Sequence, residues 1–202
     1  LLRYMEVTTK YFANPNANHK LGQDAAKLIS ESTKKIASYL GVEPEEIIYT
    51  SGASESNNLA IKGISERYKN FGRHILISSL EHNSVVSSAT RLQEQGFEVE
   101  VVPVNQEGLI DLNSLKSLLR EDTILVSICT VDSEIGLKQP IEEIGEILKN
   151  YPHCHFHTDA TQAIGKIPVH LENVDLLTFA PHKLYGLTGI GGLIKKKNIS
   201  LR

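Results

Sequence analysis

Apolar residues recur along the chain in two alternating patterns, one with the spacing of a helix and one typical of a strand. Over residues 21–40 they recur at helical spacing, and Gly41 follows as a stop signal, which predicts a helix. The next apolar run, residues 47–50, is short and rich in β-branched residues, which predicts a strand. A second helix is predicted to begin near Ser54.

The same alternation continues to the end of the chain. Further strands are predicted over residues 74–79, 97–104, 123–130, 153–158, 176–179 and 190–195, and further helices over residues 83–95, 112–119 and 140–149. Asp111 is predicted to cap the helix that follows it. Strands alternating with helices predict an α/β fold with a mainly parallel sheet flanked by helices. Because turn-forming residues dominate residues 14–18, we predict an N-terminal loop region over 1–19 and one large domain over 20–202.

Composition excludes some classes of function. With 41% hydrophobic and 22% charged residues, the 202-residue chain can bury a core and stay in solution. The net charge is −3 and there is no basic block, so we expect no nucleic-acid partner. No apolar run approaches the roughly 20 residues of a membrane helix, so we expect no membrane association. Only Cys129 and Cys154 are present, which suits a reducing compartment and predicts a cytoplasmic protein.

Polar clusters follow several predicted strands, at the edge where parallel α/β sheets bind ligands. Residues 51–54 lie between a strand and a helix, and small residues with free helix-start amides suit an anion, although taken alone a capped turn is the more ordinary explanation. The other clusters contain His82, Ser133, Asp159 and Lys183. Taken alone, each has an ordinary interpretation, as a solvated histidine, a turn, a helix cap or an exposed lysine.

Three histidines alternate along one predicted strand and suggest a metal ladder. They are His153, His155 and His157. The first two begin the strand and so lie at the end away from the ligand-binding edge. We therefore favour a packing or edge role and predict no metal site.

Together, the clusters supply what pyridoxal 5'-phosphate (PLP) requires. Its phosphate needs an anion site, its pyridine nitrogen needs an acid that keeps it protonated, and its aldehyde needs a lysine amine. The helix start near Ser54, the acid Asp159 and the late lysine Lys183 match these needs. We therefore predict PLP as the cofactor, bound through Lys183.

The chain resembles the cysteine desulfurase family of the class-V aminotransferase group, which has the fold type I architecture of PLP enzymes. The resemblance runs from about Tyr4 to Ile194. It is carried, in order, by TSGASESNNLA (50–60), EH (81–82), EIG (134–136), DATQAIGK (159–166) and HKLYG (182–186). It implies removal of sulfur from L-cysteine to leave L-alanine and an enzyme persulfide. It also implies a homodimer and a sulfur-acceptor protein, in the sulfur metabolism that leads to iron–sulfur cluster assembly.

The resemblance implies a role for each matching residue around the cofactor ring. Lys183 would attach to the aldehyde, and His82 would stack on the pyridine ring. Asp159 would pair with the ring nitrogen, and Gln162 would donate a hydrogen bond to the phenolic oxygen. Lys183, His82 and Asp159 would be the catalytic residues.

The phosphate would be held by Ala53, Ser54 and His182. Two departures from the family pattern affect the same site. Ser133 replaces an asparagine that contacts the cofactor in the family, and it is shorter. Ala180 replaces a serine two residues before the histidine of the His-Lys pair, which removes one hydroxyl from the phosphate site.

The resemblance does not include the family's N-terminal segment or its small C-terminal domain, whose mobile loop carries the nucleophilic cysteine. We therefore expect the chain to be a fragment that is inactive by itself. Two alternatives stay open. The chain can belong to a related class-V lyase or transaminase that acts on another amino acid, or to a non-catalytic scaffold with the PLP fold.

Overall fold

The protein is described by a computed structural model that covers residues 2–202. The chain divides into two compact units, of which the first ends at Ile47 and the second begins at Ile48. This division differs from the boundary predicted between residues 19 and 20. Within residues 2–202, no helix is both long and apolar enough to span a bilayer.

The first unit contains helix α1 (Leu2–Lys10), helix α2 (Lys20–Leu40) and a 3-10 turn. The ends of α2 match the prediction, because Gly41 adopts a left-handed conformation with φ 66° and ends the helix. Helix α1 corrects the prediction of a loop over 1–19. The turn formers at 14–18 lie after this helix, and Glu6 forms ion pairs with Arg3 and Lys10 at helical spacing.

A seven-stranded sheet dominates the rest of the chain. Its strands are β1 (Ile47–Thr50), β2 (His74–Ser78), β3 (Glu98–Val102), β4 (Thr123–Ser127), β5 (His155–Asp159), β6 (Leu176–Phe179) and β7 (Gly191–Lys195). The helices between them are α3 (Ala53–Tyr68), α4 (Asn83–Gln93), α5 (Leu112–Leu118) and α6 (Ile141–Leu148). Each predicted strand and helix of this region is present, with its ends shifted by a few residues.

The strand order is β1-β7-β6-β5-β4-β2-β3. The pairs from β3 through β2, β4 and β5 to β6 are parallel, and β7 runs antiparallel to β6. This confirms the predicted mainly parallel α/β fold. Every residue of β2, β4, β5 and β6 is buried, as expected for strands covered on both faces.

Helix α3 packs on the sheet through its apolar face. The core around it contains Ala60, Ile61, Ile64, Ile75, Leu125, Leu176 and Leu193. Because these side chains come from four strands as well as from the helix, they fix the helix start relative to the strand ends. The carboxyl ends of the parallel strands thus meet at one edge of the sheet, beside the first turn of α3.

The ends of β4 and α6 illustrate these shifts. Strand β4 ends at Ser127 rather than at residue 130, although Ile128 and Thr130 still donate single backbone hydrogen bonds to the β5 side. Pro140 is the residue before α6 rather than part of its first turn. Asp111 caps α5 as predicted, since its carboxylate accepts a hydrogen bond from the Asn113 amide.

Candidate active site

The loops that follow the strands line a cavity of about 590 Å³. This volume lies in the range of roughly 300–1,000 Å³ that is usual for small-molecule sites. All eight site residues predicted from the sequence line it: Ala53, Ser54, His82, Ser133, Asp159, Gln162, His182 and Lys183. Residues from five separate segments of the chain are thus brought around one space.

The start of α3 forms one side of the cavity, and its geometry suits an anion. Ala53 and Ser54 are its first residues, so their amide N–H groups have no partner within the helix and favour a negative charge. The carboxylate of Glu55 accepts hydrogen bonds from the Ser51 amide (2.7 Å) and the Ser51 hydroxyl (2.6 Å), and these bonds lower the pKa of Glu55. The turn before α3 is therefore held by its own side chains, while the helix-start amides stay free.

A close backbone approach supports this turn from behind. Gly191, at the start of β7, lies against Gly52, and a Cβ atom at Gly191 would come within 2.5 Å of the Gly52 carbonyl carbon. No side chain fits there without moving one of the two segments. The turn before α3 is therefore held against the sheet by a contact that only glycine allows.

Asp159 ends β5 at the floor of the cavity and is 7% exposed. Its Oδ1 accepts a hydrogen bond from the Thr161 amide at 2.9 Å, and its Oδ2 accepts one from Asn57 Nδ2 at 2.8 Å. The residues after Asp159 form turns rather than a helix, so its bond to Thr161 closes a turn. Both oxygens act as acceptors, which is the behaviour of a carboxylate.

Asn57 lies beneath the cavity and holds Asp159, a role that no sequence motif indicated. It is fully buried on α3, and besides Asp159 its Nδ2 donates to Ser84 Oγ at 2.9 Å. A buried amide on the sheet-facing side of a helix is a signal that could have found it, because such an amide needs partners from elsewhere in the fold.

His82 stands immediately before α4 and lines the cavity. Its Nδ1 accepts a hydrogen bond from the Ser84 amide at 3.1 Å and lies 2.9 Å from Ser84 Oγ. The imidazole thus caps the helix through one nitrogen. This fixes the position of the ring beside the cavity.

Glu81 is a second residue that the sequence analysis left without a role of its own. Its Oε1 accepts hydrogen bonds from Ser78 Oγ (2.6 Å) and from the Cys129 amide (2.7 Å). Its Oε2 is buried and has no hydrogen-bond partner in the described chain. Burial, reinforced by the nearby acids Asp159 and Asp132 and only partly opposed by these two hydrogen bonds, raises the pKa of Glu81 to about 8. Glu81 is therefore mostly uncharged at neutral pH.

Lys183 follows β6 on a 3-10 turn, Pro181–Leu184. The turn is closed by a hydrogen bond from the Gly186 amide to the Pro181 carbonyl at 2.8 Å, and a Cβ atom at Gly186 would lie 2.6 Å from Pro181. Lys183 is exposed to the cavity and forms no salt bridge within residues 2–202. Ala180 is fully buried beneath the turn and does not line the cavity.

Two loops complete the rim. Asp132 closes the first by accepting hydrogen bonds from the amides of Glu134 (3.1 Å) and Ile135 (2.6 Å), which leaves Ser133 exposed toward the cavity. On the other side, Gln162 Oε1 accepts a hydrogen bond from Lys166 at 2.8 Å. The amide nitrogen of Gln162 remains available as a donor.

The three alternating histidines have contacts that match the predicted packing role. His153 stacks on Phe71, and His155 packs against Tyr68. His157 forms hydrogen bonds with the hydroxyl groups of Ser127 and Thr178. His153 lies before β5 rather than in it.

Both cysteines are buried free thiols. Cys129 lines the cavity, and Cys154 precedes β5 at the opposite edge of the sheet. Burial raises the pKa of each thiol well above its ordinary value. Since the thiolate is the reactive form, neither cysteine has the character of a nucleophile.

This leads to a labelling prediction. In the native protein at pH 8, iodoacetamide should modify Cys129 and Cys154 much more slowly than it modifies free cysteine, because both thiols are buried and protonated. In denaturant both should react, and peptide mass spectrometry would follow each site. Fast native labelling of Cys129 that a Cys129→Ser variant abolishes would contradict this interpretation.

Comparison with known proteins agrees with the geometry. The family model for aminotransferase class-V, a family of PLP-dependent enzymes, matches residues 1–201. A NifS/IcsS protein homolog of Lactobacillus delbrueckii is 48% identical over 197 residues, which cover 96% of this chain and 51% of that protein. The cysteine desulfurase IscS of Glaesserella parasuis is 45% identical, with 95% of this chain and 48% of that protein covered.

Solved structures give the same result. A NifS-like protein superimposes with a TM-score of 0.96 at 37% identity and covers 100% of this chain and 56% of that one. SspA, solved in complex with cysteine, gives a TM-score of 0.92 at 37% identity and covers 100% and 59%. The chain spans about half the length of the curated relatives it matches. By its family match and its fold, the chain belongs to the class-V aminotransferase family, and the relatives compared with it are NifS-like proteins and a cysteine desulfurase.

Proposed function

We propose that the chain is the cofactor-binding large domain of a PLP-dependent cysteine desulfurase, which removes sulfur from L-cysteine and leaves L-alanine. The observation that carries this proposal is the convergence of eight residues from five segments around one cavity. They supply an anion site, a carboxylate, an imidazole and a lysine amine. That set of groups is what PLP chemistry needs.

The donor set at the start of α3 fits the phosphate of PLP. The free amides of Ala53 and Ser54, the Ser54 hydroxyl and the His182 ring would hold the phosphate. The close contact of Gly191 with Gly52 keeps the backbone of this turn in place. When bound, PLP supplies an electron sink that the protein's own side chains lack.

The other residues would orient the ring and handle protons. The Asp159 carboxylate would face the ring nitrogen, and the His82 imidazole would lie against the ring face. Gln162 would donate to the phenolic oxygen, and Ser133 would contact the cofactor. The Lys183 amine would hold the cofactor and later accept or return a proton at its Nζ atom.

Substrate and partners are part of the same proposal. L-Cysteine is the proposed substrate because relatives are named cysteine desulfurases and one was solved with cysteine. Exposed apolar side chains next to the lining residues suit contact with a second copy, which supports a homodimer. They are Ile135, Leu187 and Ile190. A sulfur-acceptor protein, a role in iron–sulfur cluster assembly and a cytoplasmic location complete the proposal, and two free thiols suit a reducing compartment.

The test is where the cofactor attaches. Full-length gene product incubated with PLP should show an absorbance band in the visible range that borohydride bleaches, and peptide mapping should place the pyridoxyl group on Lys183. A Lys183→Arg variant, which keeps the positive charge, should carry no label.

Two outcomes would count against the proposal. Label on another lysine, such as Lys62 or Lys166, would remove Lys183 from its role. The absence of any bleachable band in the wild type would favour a non-catalytic scaffold, for which the loss of a hydroxyl at Ala180 is the motivating observation.

A further inference from the structure

A chain of hydrogen bonds joins two sides of the cavity. Asp159 Oδ2 accepts from Asn57 Nδ2 at 2.8 Å, and the same Nδ2 donates to Ser84 Oγ at 2.9 Å. Ser84 Oγ in turn lies 2.9 Å from His82 Nδ1. The acid and the imidazole that would contact opposite parts of the cofactor are thus connected through two side chains.

The order of donors in this chain follows from its chemistry. Because Asp159 Oδ2 is an acceptor, the Asn57 atom facing it must be the amide nitrogen. One N–H of that amide serves Asp159 and the other serves Ser84 Oγ, so the hydrogen of the Ser84 hydroxyl is left to donate elsewhere. His82 Nδ1 is the acceptor within its reach.

The imidazole is therefore fixed in one tautomer. The Ser84 amide N–H also donates to His82 Nδ1, at 3.1 Å. A proton on Nδ1 would face both of these donors, so neutral His82 carries its proton on Nε2. No hydrogen bond from His82 Nε2 occurs within residues 2–202. This leaves that N–H free for a group outside the described chain.

The fold alone does not account for Asn57. Its side chain is fully buried, and its Oδ1 has no hydrogen-bond partner among the described residues. An unpaired buried carbonyl destabilises a fold, and an apolar residue of similar size would avoid that cost. The arrangement is instead explained by what the nitrogen holds in place.

We propose that Asn57 and Ser84 are positioning residues that couple the Asp159 carboxylate to the His82 imidazole and fix His82 as its Nε2–H tautomer. The proposal rests on the proposed function for what the two groups face. The tautomer itself does not depend on the cofactor.

The experiment measures the tautomer directly in cofactor-free protein. In the full-length gene product with 15N-labelled histidine, NMR should show His82 Nδ1 without a proton and Nε2 with one. Ser84→Ala removes one of the two donors to Nδ1 and should raise the population of the Nδ1–H form. Ser84→Thr keeps the hydroxyl and should retain the wild-type tautomer, and Ser87→Ala, an exposed serine of the same helix, is the matched control.

Asn57→Leu tests the other half of the coupling. It removes the N–H group that donates to Ser84 Oγ, so this oxygen can accept from His82 Nδ1 and the Nδ1–H population should rise. PLP affinity should also fall roughly tenfold, the size expected for one hydrogen bond to a charged group. Combined with Ser84→Ala, the loss of affinity should be smaller than the product of the two single effects, because both changes break one chain.

Several results would overturn the proposal. They are a wild-type His82 protonated on Nδ1, a tautomer unchanged in Ser84→Ala, and fully independent effects on PLP affinity. If Asn57→Leu does not fold, the pair Ser84→Ala and Ser84→Thr still decides the question, and the unchanged signals of buried His157 show that those variants are folded. A wild type that binds no PLP would contradict the proposed function but leave the tautomer result as it stands.

Discussion

Replacing Asp159 with asparagine is expected to abolish turnover in the full-length protein while PLP stays detectable. An amide keeps the shape of the carboxylate but not the charge that would hold the cofactor's ring nitrogen protonated. We expect turnover to fall by at least about a hundredfold, roughly 2.7 kcal/mol, which exceeds the 0.5–1.5 kcal/mol of one neutral hydrogen bond. Alanine release from cysteine, together with the visible absorbance band, would measure both effects.

Asp132→Asn is the matched control for this experiment. Asp132 lies on the same rim but closes a turn by accepting hydrogen bonds from the Glu134 and Ile135 amides, and an asparagine oxygen can accept in the same way. Turnover should therefore change little. Near-normal activity in Asp159→Asn would remove Asp159 from its proposed role.

Replacing Glu81 with glutamine is expected to change how stability depends on pH. Burial raises the pKa of Glu81 to about 8 in the folded state from its ordinary value of 4.5. The folded protein therefore binds this proton more tightly than the unfolded chain does. The destabilisation caused by Glu81 is absent at pH values below the pKa of the unfolded state. It grows as the pH rises toward 8 and is constant above that.

The expected size of this effect makes it measurable. Between pH 6 and pH 9, wild-type protein should lose about 2–3 kcal/mol of unfolding free energy through Glu81, and Glu81→Gln should lack this component. Denaturant unfolding at the two pH values would give the difference. Glu134→Gln, which neutralises an exposed acid of the same rim, is the control. Equal pH dependence in wild type and Glu81→Gln would mean that Glu81 is not held neutral in the fold.

The predictable part of the fold came from patterns that depend on nearby residues. The apolar run at 123–130 predicted a buried strand because a strand covered on both faces needs apolar residues throughout. The prediction of a loop over 1–19 was wrong for α1. The turn formers lie at 14–18, and the predicted loop was extended from them to earlier residues, which form a helix. Local composition predicts that a loop is present but not how far that loop extends toward the terminus.

The site was predictable where residues follow strand ends and less so where they act through other residues. Asp159 ends a strand and Lys183 follows one, so the rule for parallel sheets and the motif resemblance predicted that they lie together. Roles for Asn57 and Glu81 were not predicted, because their hydrogen-bond partners Asp159 and Cys129 lie far along the chain. Only the folded arrangement shows that such a pair meets.

The contact between Gly191 and Gly52 has a consequence for the order in which the site can assemble. The turn that would bind phosphate precedes α3, but the strand behind it is β7, which follows much later in the chain. Contacts between distant segments are costly to form, since the intervening chain must first be closed into a loop. This turn therefore gains its support only once β7 has joined the sheet. Cofactor retention would then report on whether β7 has joined the sheet, and a chain interrupted before β7 would keep residues 50–60 without the strand that supports them.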